Sequence, residues 1–282
     1  FKNGTLLSGM CVPDLQGTQG SFSFYTSDES KLGAATGGQR FRVVRRSNAV
    51  ESNLKGPPGA DGVSMKCPFT VQMDAATGKA AITIGKETVE VGIGEYTPWM
   101  EIPFDGVQGI ARLRIQRWDE EAVSVYVTPI NIDPESPAMP LSHPFVYSIY
   151  LAKMLGKFST LGLAEDTWAL NERVIDEAAF LDQAYLIMDE RKKQLWDVLD
   201  KTKKGFVTVV FDTTDRVSHM FWRYLEKDHP ANEGKDTTEF VDVILELYGK
   251  ADALIGEVME RLEGDDDTLL MVVSDHGFCS FQ

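Results

Sequence analysis

Two apolar runs, one ending on a carboxylate and one running directly into one, constrain this chain more than any other feature. Gly205-Phe206-Val207-Thr208-Val209-Val210-Phe211-Asp212 and Thr268-Leu269-Leu270-Met271-Val272-Val273-Ser274 are short and rich in β-branched residues. Nearly continuous apolar runs of this length predict strands buried on both faces. Between them, residues 238–262 repeat apolar side chains at three- and four-residue steps, among them Phe240, Ile244, Leu247, Ala251, Leu254 and Val258. That period predicts a long helix, capped by Thr237 or Thr238 and ended by Gly264. Strand, helix, strand is a βαβ unit, so the expected fold is α/β with a doubly wound parallel sheet.

The rest of the chain divides by pattern. Residues 1–40 are rich in Gly, Ser and Thr and read as a loop-rich part of the α/β core, with a short strand. Residues 41–132 alternate apolar and polar side chains, as in Phe69-Thr70-Val71-Gln72-Met73 and Val123-Ser124-Val125-Tyr126-Val127. Turn signals at Gly56–Gly59, Asp74–Gly78 and Asp105-Gly106 separate these runs, so they predict antiparallel hairpins in a β-rich insertion. Trp99 and Trp118 fall inside it and are expected to pack, as aromatic residues in β-structure usually do. Residues 133–282 form the remainder of the α/β core. They open with a proline-rich linker at 133–144, followed by helical pattern at 145–156 and 177–200.

The chain has 282 residues and 28 basic against 43 acidic side chains, a net charge of −15. Such a surface disfavours a nucleic-acid scaffold as partner, and it repels an anionic substrate unless positive charge is gathered locally. A bound divalent cation would do that. No run is long enough to span a membrane. Cys11, Cys67 and Cys279 form no C-x-x-C pair and read as incidental thiols, not as a zinc site or a disulfide scaffold.

Ligands of open parallel sheets bind beyond the carboxyl ends of the strands. The first run leads into Asp212-Thr213-Thr214-Asp215-Arg216-Val217-Ser218-His219, and the second into Asp275-His276-Gly277. Asp215 and His219 are four residues apart, so a helical turn sets both on one face. Asp275 and His276 are adjacent at a point where the backbone bends. Two carboxylates and two imidazoles at one sheet edge suit a metal site, zinc before manganese or iron. His143 and His229 adjoin prolines and read as loop residues. Asp212, Arg216 and Trp222 read as a cap, a solvated charge and a packed ring.

This order of motifs resembles the alkaline phosphatase superfamily, and within it the type I phosphodiesterase/nucleotide pyrophosphatase group, with cofactor-independent phosphoglycerate mutases as relatives. The segment from Asp212 to Tyr224, Leu7-Ser8-Gly9-Met10 and Glu165-Asp166-Thr167 extend the likeness. The resemblance implies two divalent ions, Asp215 and His219 holding one and Asp275 and His276 the other, and metal-dependent hydrolysis of a small phosphorylated substrate. It also implies a first-strand Asp and a Thr or Ser nucleophile upstream of Phe1, and a further His beyond Gln282. The sequence therefore reads as a fragment of a phosphodiesterase or phosphatase that is inactive alone. Thr18 and Ser21 are the only substitute hydroxyls in a glycine-rich loop, and no catalytic residue is assigned in this chain. A phosphoglycerate mutase-like phosphotransferase and a non-catalytic binding fragment are the alternatives.

Overall fold

The computed structural model describes residues 3–34, 36–234 and 236–280. Two compact units divide the chain, Phe1–Val209 and Val210–Gln282.

The first unit is mostly β. Its strands are β1 (Leu6–Leu7), β2 (Phe22–Thr26), β3 (Gly38–Arg42), β4 (Ala49–Pro58), β5 (Ser64–Asp74), β6 (Lys79–Ile84) and β7 (Glu87–Gly92). They continue with β8 (Met100–Phe104), β9 (Val107–Ala111), β10 (Leu113–Trp118), β11 (Val123–Val127), β12 (Asn131–Ile132) and β13 (Ser142–His143). Three helices follow: α1 (Val146–Leu155), α2 (Thr167–Asn171) and α3 (Glu177–Lys201). The strands assemble as β10-β11-β2-β3, β4-β5-β6-β7, β12-β9-β8 and the short pair β1-β13.

The turns at Asp74–Gly78 and Asp105-Gly106 stand where the turn residues put them, whereas Gly56, Pro57 and Pro58 lie inside β4 and that hairpin turns at 59–63, where the Gly59 amide donates to the Val63 carbonyl. Asp74 accepts from the amide of Ala76 and the hydroxyl of Thr77, and Gly78 takes a positive φ of 69° to close β5 onto β6. Alternation then turns Val71, Ile82, Ile84 and Met100 inward, and they pack in one core with Tyr25, Leu54 and Phe69. The Tyr25 ring stacks on Phe41 at 4.8 Å, and its hydroxyl donates to the carbonyl of Asn53 at 2.8 Å. Helix α3 starts on Asp176, whose carboxylate accepts from the amide of Ala179 at 2.8 Å. It buries Phe180, Ala184, Ile187 and Met188 on one face.

The glycine-rich N-terminal segment is organised by one buried carboxylate. Asp14 accepts from the amides of Gln16, Thr18 and Ser21 and from the Thr18 hydroxyl. Asp14→Ala strands those amides and is expected to cost about 2 kcal/mol, since each buried group left without a partner costs roughly 1–3 kcal/mol. A lowered urea midpoint with an unchanged slope is the expected reading. An unmoved midpoint would show that water replaces the carboxylate.

The second unit is helical, with α4 (Thr213–Phe221) and α5 (Val243–Arg261). Phe221 and Tyr224 pack with Phe240, and α4, with Val217 buried, packs against α5, whose buried residues are Val243, Ile244, Leu247, Leu254 and Val258.

Several expectations need correction. The structure is a mixed α/β arrangement, but the doubly wound parallel sheet is not what it shows. Among the described residues, β2–β3 is a parallel ladder and the other ladders between named strands are antiparallel. The runs 205–212 and 268–274 form no ladder, and Phe206 and Leu269 are 87% and 81% exposed. A buried strand needs hydrogen-bonded neighbours and cover on both faces, and neither run meets another strand. Helix α5 begins at Val243, after a 3₁₀ turn at Thr238–Phe240. The Thr238 amide and hydroxyl both bond Asp236 at 3.0 and 2.7 Å, so that threonine closes a turn and does not cap the helix. The segment 133–144 packs instead of floating as a linker. Asp133 and Leu141 are buried, and Asp133 takes both Lys157 and Gln108.

Candidate functional site

Helix α4 follows directly on the first apolar run. Its N-terminal flank is Asp212, whose side chain makes no capping hydrogen bond. One turn on, Asp215 and His219 lie on the same helix face, and His219 Nε2 is 3.4 Å from Asp215 Oδ1. The irregular segment after the second run brings His276 to the same carboxylate oxygen, again at 3.4 Å from Nε2. Asp275 is the outlying member. Its Oδ2 is 3.9 Å from His276 Nε2, and its side chain is 91% exposed.

Asp215, His219 and His276 are therefore neighbours, with Asp215 at their centre, and Asp275 adjoins them through His276. They come from positions about sixty residues apart, so the fold and not local sequence makes the cluster. Thr18 and Ser21 belong to the first unit. The Thr18 hydroxyl donates to Asp14, which gives it a structural role. His229 takes the amide of Ala231 on Nδ1 at the head of a short 3₁₀ turn, as a loop residue should. His143 ends β13, opposite Leu6.

Electrostatics favour cations here. The Gly277 carbonyl beside the His276 ring, then the Asp275 and Asp215 carboxylates, hold that imidazole above its usual range. Arg216 adds a guanidinium 3.5 Å from Asp215 Oδ2. A buried oxygen, Asp212 Oδ1, has no hydrogen-bond partner. A desolvated carboxylate oxygen without a donor is costly, and a nearby cation relieves the cost.

The donor set, three carboxylates and two imidazoles counting Asp212, fits divalent zinc, manganese or iron. The arrangement is not a closed ligand cage. Among the described residues, no group of three or more His, Cys, Asp or Glu side chains is poised to hold an ion. The donor chemistry suits such an ion, but the side chains would have to turn from one another toward it.

Sequence reasoning missed Phe278. Its ring lies 4.9 Å from His219 and 5.4 Å from His276, near edge-on to the first, and stacks on Trp222 at 5.6 Å. Only its place two residues after His276 pointed to it. Trp222 is half-buried and stacks on Phe278, with its indole N–H donating to Ser280 near the surface, so it lies outside the buried core where it was expected. Asp212 stands at the cap position but does not cap, and Arg216 is half-buried against Asp215, not solvated.

Among the described residues, no helix is long and apolar enough to cross a membrane. A family model for type I phosphodiesterase / nucleotide pyrophosphatase matches residues 121–282, more than half of the chain, and that family supports hydrolysis of phosphate esters. No curated protein and no solved structure matches the chain. All four clustered Asp and His residues lie within the matched span, and the chain belongs to the type I phosphodiesterase/nucleotide pyrophosphatase family of the alkaline phosphatase superfamily.

Proposed function

We propose that this chain supplies ligands to a two-metal site that hydrolyses a small phosphorylated substrate. Asp215 and His219 serve one divalent ion and Asp275 and His276 the other, with zinc preferred to manganese or iron. The observation that carries this reading is the single oxygen Asp215 Oδ1 within 3.4 Å of both imidazoles. When bound, the ions would offset the phosphate charge that a chain of net charge −15 otherwise repels.

The chain's own residues have distinct parts. Asp215 gathers His219 and His276 onto one side of α4. Phe278 packs against both rings and narrows the rotamers they can take, which reduces the ordering cost of ligation. Arg216, beside Asp215, offers a guanidinium suited to a phosphate oxygen.

Hydrolysis of bis-p-nitrophenyl phosphate by the full-length protein with zinc or manganese tests this. Asp215→Ala and His276→Ala should each lower kcat/KM about a hundredfold, a loss of roughly 2.7 kcal/mol in transition-state stabilisation. Full activity in both variants, with unchanged melting, would remove these residues from the site.

A further inference from the structure

Helix α5 carries a second apolar stripe beside the one it buries. The buried side holds Val243, Ile244, Leu247, Leu254 and Val258. Leu245, Tyr248 and Met259 are 70%, 51% and 60% exposed, and Ile255 beside them is half-buried. From Leu245 through Tyr248, Asp252 and Ile255 to Met259 the steps are three, four, three and four residues. That spacing sets the five side chains in one line along the helix, about 21 Å long. One exposed apolar side chain is ordinary, whereas a row of them rimmed by polar residues marks an interaction site.

Charge and relief choose the occupant. Asp252 stands in the stripe, and Asp242, Glu246 and Glu260 follow its open side, all four exposed. The basic residues of the helix, Lys250 and Arg261, fall on the side opposite the stripe by the helical period. Between the stripe and the acids stand Gly249 and Gly256, seven residues apart, and a Cβ added at either would meet nothing within 4 Å. Glycine weakens a helix interior, and no intramolecular contact of the described residues requires it here. Its absent side chain lowers the surface, so that another backbone can come close.

We propose that this face of α5 docks a basic amphipathic helix of a partner protein, with apolar residues at three- and four-residue steps and Lys or Arg beside them. The partner's apolar side chains pack among Leu245, Tyr248, Ile255 and Met259, its backbone crosses Gly249 and Gly256, and its cations meet Asp252 and Glu260. A second copy of the chain would set these acids against themselves, and an anionic membrane would meet them with like charge.

Fluorescence anisotropy tests the proposal, with a labelled Leu–Lys peptide of about five helical turns, Leu at three- and four-residue steps, titrated by the full-length protein. Saturable binding is expected, weakening with salt. It should fall about tenfold or more in the double variant Leu245→Ser/Met259→Ser, and likewise in Asp252→Lys/Glu260→Lys, with melting unchanged in both. A scrambled peptide of the same composition should bind about tenfold more weakly or worse. Absence of binding overturns the proposal. Equal binding of the scrambled peptide, or affinity unmoved in either variant, reduces it to unspecific attraction by an acidic chain and also overturns it. A lowered melting temperature in Leu245→Ser/Met259→Ser would show that the stripe is covered within the protein itself. Self-association, or sedimentation with phosphatidylserine vesicles, that this variant abolishes would give the face to a second copy or to a membrane instead.

Discussion

Glu190→Ala is expected to destabilise the first unit by about 3–5 kcal/mol, the cost of leaving a buried charge without its partner. Glu190 sits on the inner face of α3 and holds three elements at once. Its Oε1 accepts from Trp99 Nε1 at 2.7 Å and from Arg112 at 2.9 Å, and its Oε2 accepts from the amide of Ser159 at 2.8 Å. Both charged side chains are largely out of water, 8% and 13% exposed. The Arg112 guanidinium also lies over the Trp99 ring at 4.8 Å, so the cation is boxed in and cannot swing to solvent. Removing the carboxylate leaves that cation, an indole N–H and a backbone amide unmatched together. With roughly 2–4 °C per kcal/mol for units of this size, the melting temperature should fall on the order of 10 °C. Glu190→Gln, which keeps acceptor capacity but not the charge, should fall less. Melting followed by circular dichroism checks both, and a shift of a degree or two in Glu190→Ala would mean that the network adds little.

Asp166 should make the same unit lose stability as pH rises. Burial lifts its carboxyl from 3.8 to about 6, against the hydrogen bonds from Tyr126 and the Ala169 amide that favour the charged form, and with Glu172 adding repulsion. The Tyr126 hydroxyl donates to Asp166 Oδ2 at 2.6 Å, and the Asp166 amide donates to Gln183 at 2.7 Å. Because the folded value lies above the unfolded one, the native state binds the proton more tightly, by about 3 kcal/mol. The resulting stability is complete below the unfolded value and is lost as pH rises through the folded one. Asp166→Asn removes the titration and keeps an acceptor for Ala169. Measured by urea unfolding, the stability of the native chain relative to Asp166→Asn should drop by about 2–3 kcal/mol between about pH 4 and pH 7.5. A difference flat across that range would place the charged carboxylate in a far more polar setting than its burial indicates.

The hairpins and two of the long helices were legible in the sequence because their signals are local. Asp74 to Gly78 names its own turn, and Asp176 marks the start of α3 three residues before the amide it caps. The sheet order was not legible in the same way. The runs 205–212 and 268–274 have strand composition, yet a strand is defined by its neighbours, and apolar content alone supplies none. The start of α5 was misplaced because Thr238 had two uses, cap or turn, and the nearby Asp236 decided between them. Asp215, His219, Asp275 and His276 were singled out because both pairs adjoin the apolar runs. Asp215, His219 and His276 meet although those runs form no ladder, so their grouping did not depend on the sheet that suggested it. Phe278 and the orphaned Asp212 oxygen were invisible, since ring contacts and desolvation belong to tertiary structure.

The most direct measurement is metal content. Full-length protein dialysed to equilibrium against zinc and analysed for the element should hold two ions per chain. Asp215→Ala, which removes the oxygen shared by both imidazoles, should lose at least one of them while the fold persists. Zinc content indifferent to Asp215→Ala and His276→Ala alike would contradict a metal site at this cluster.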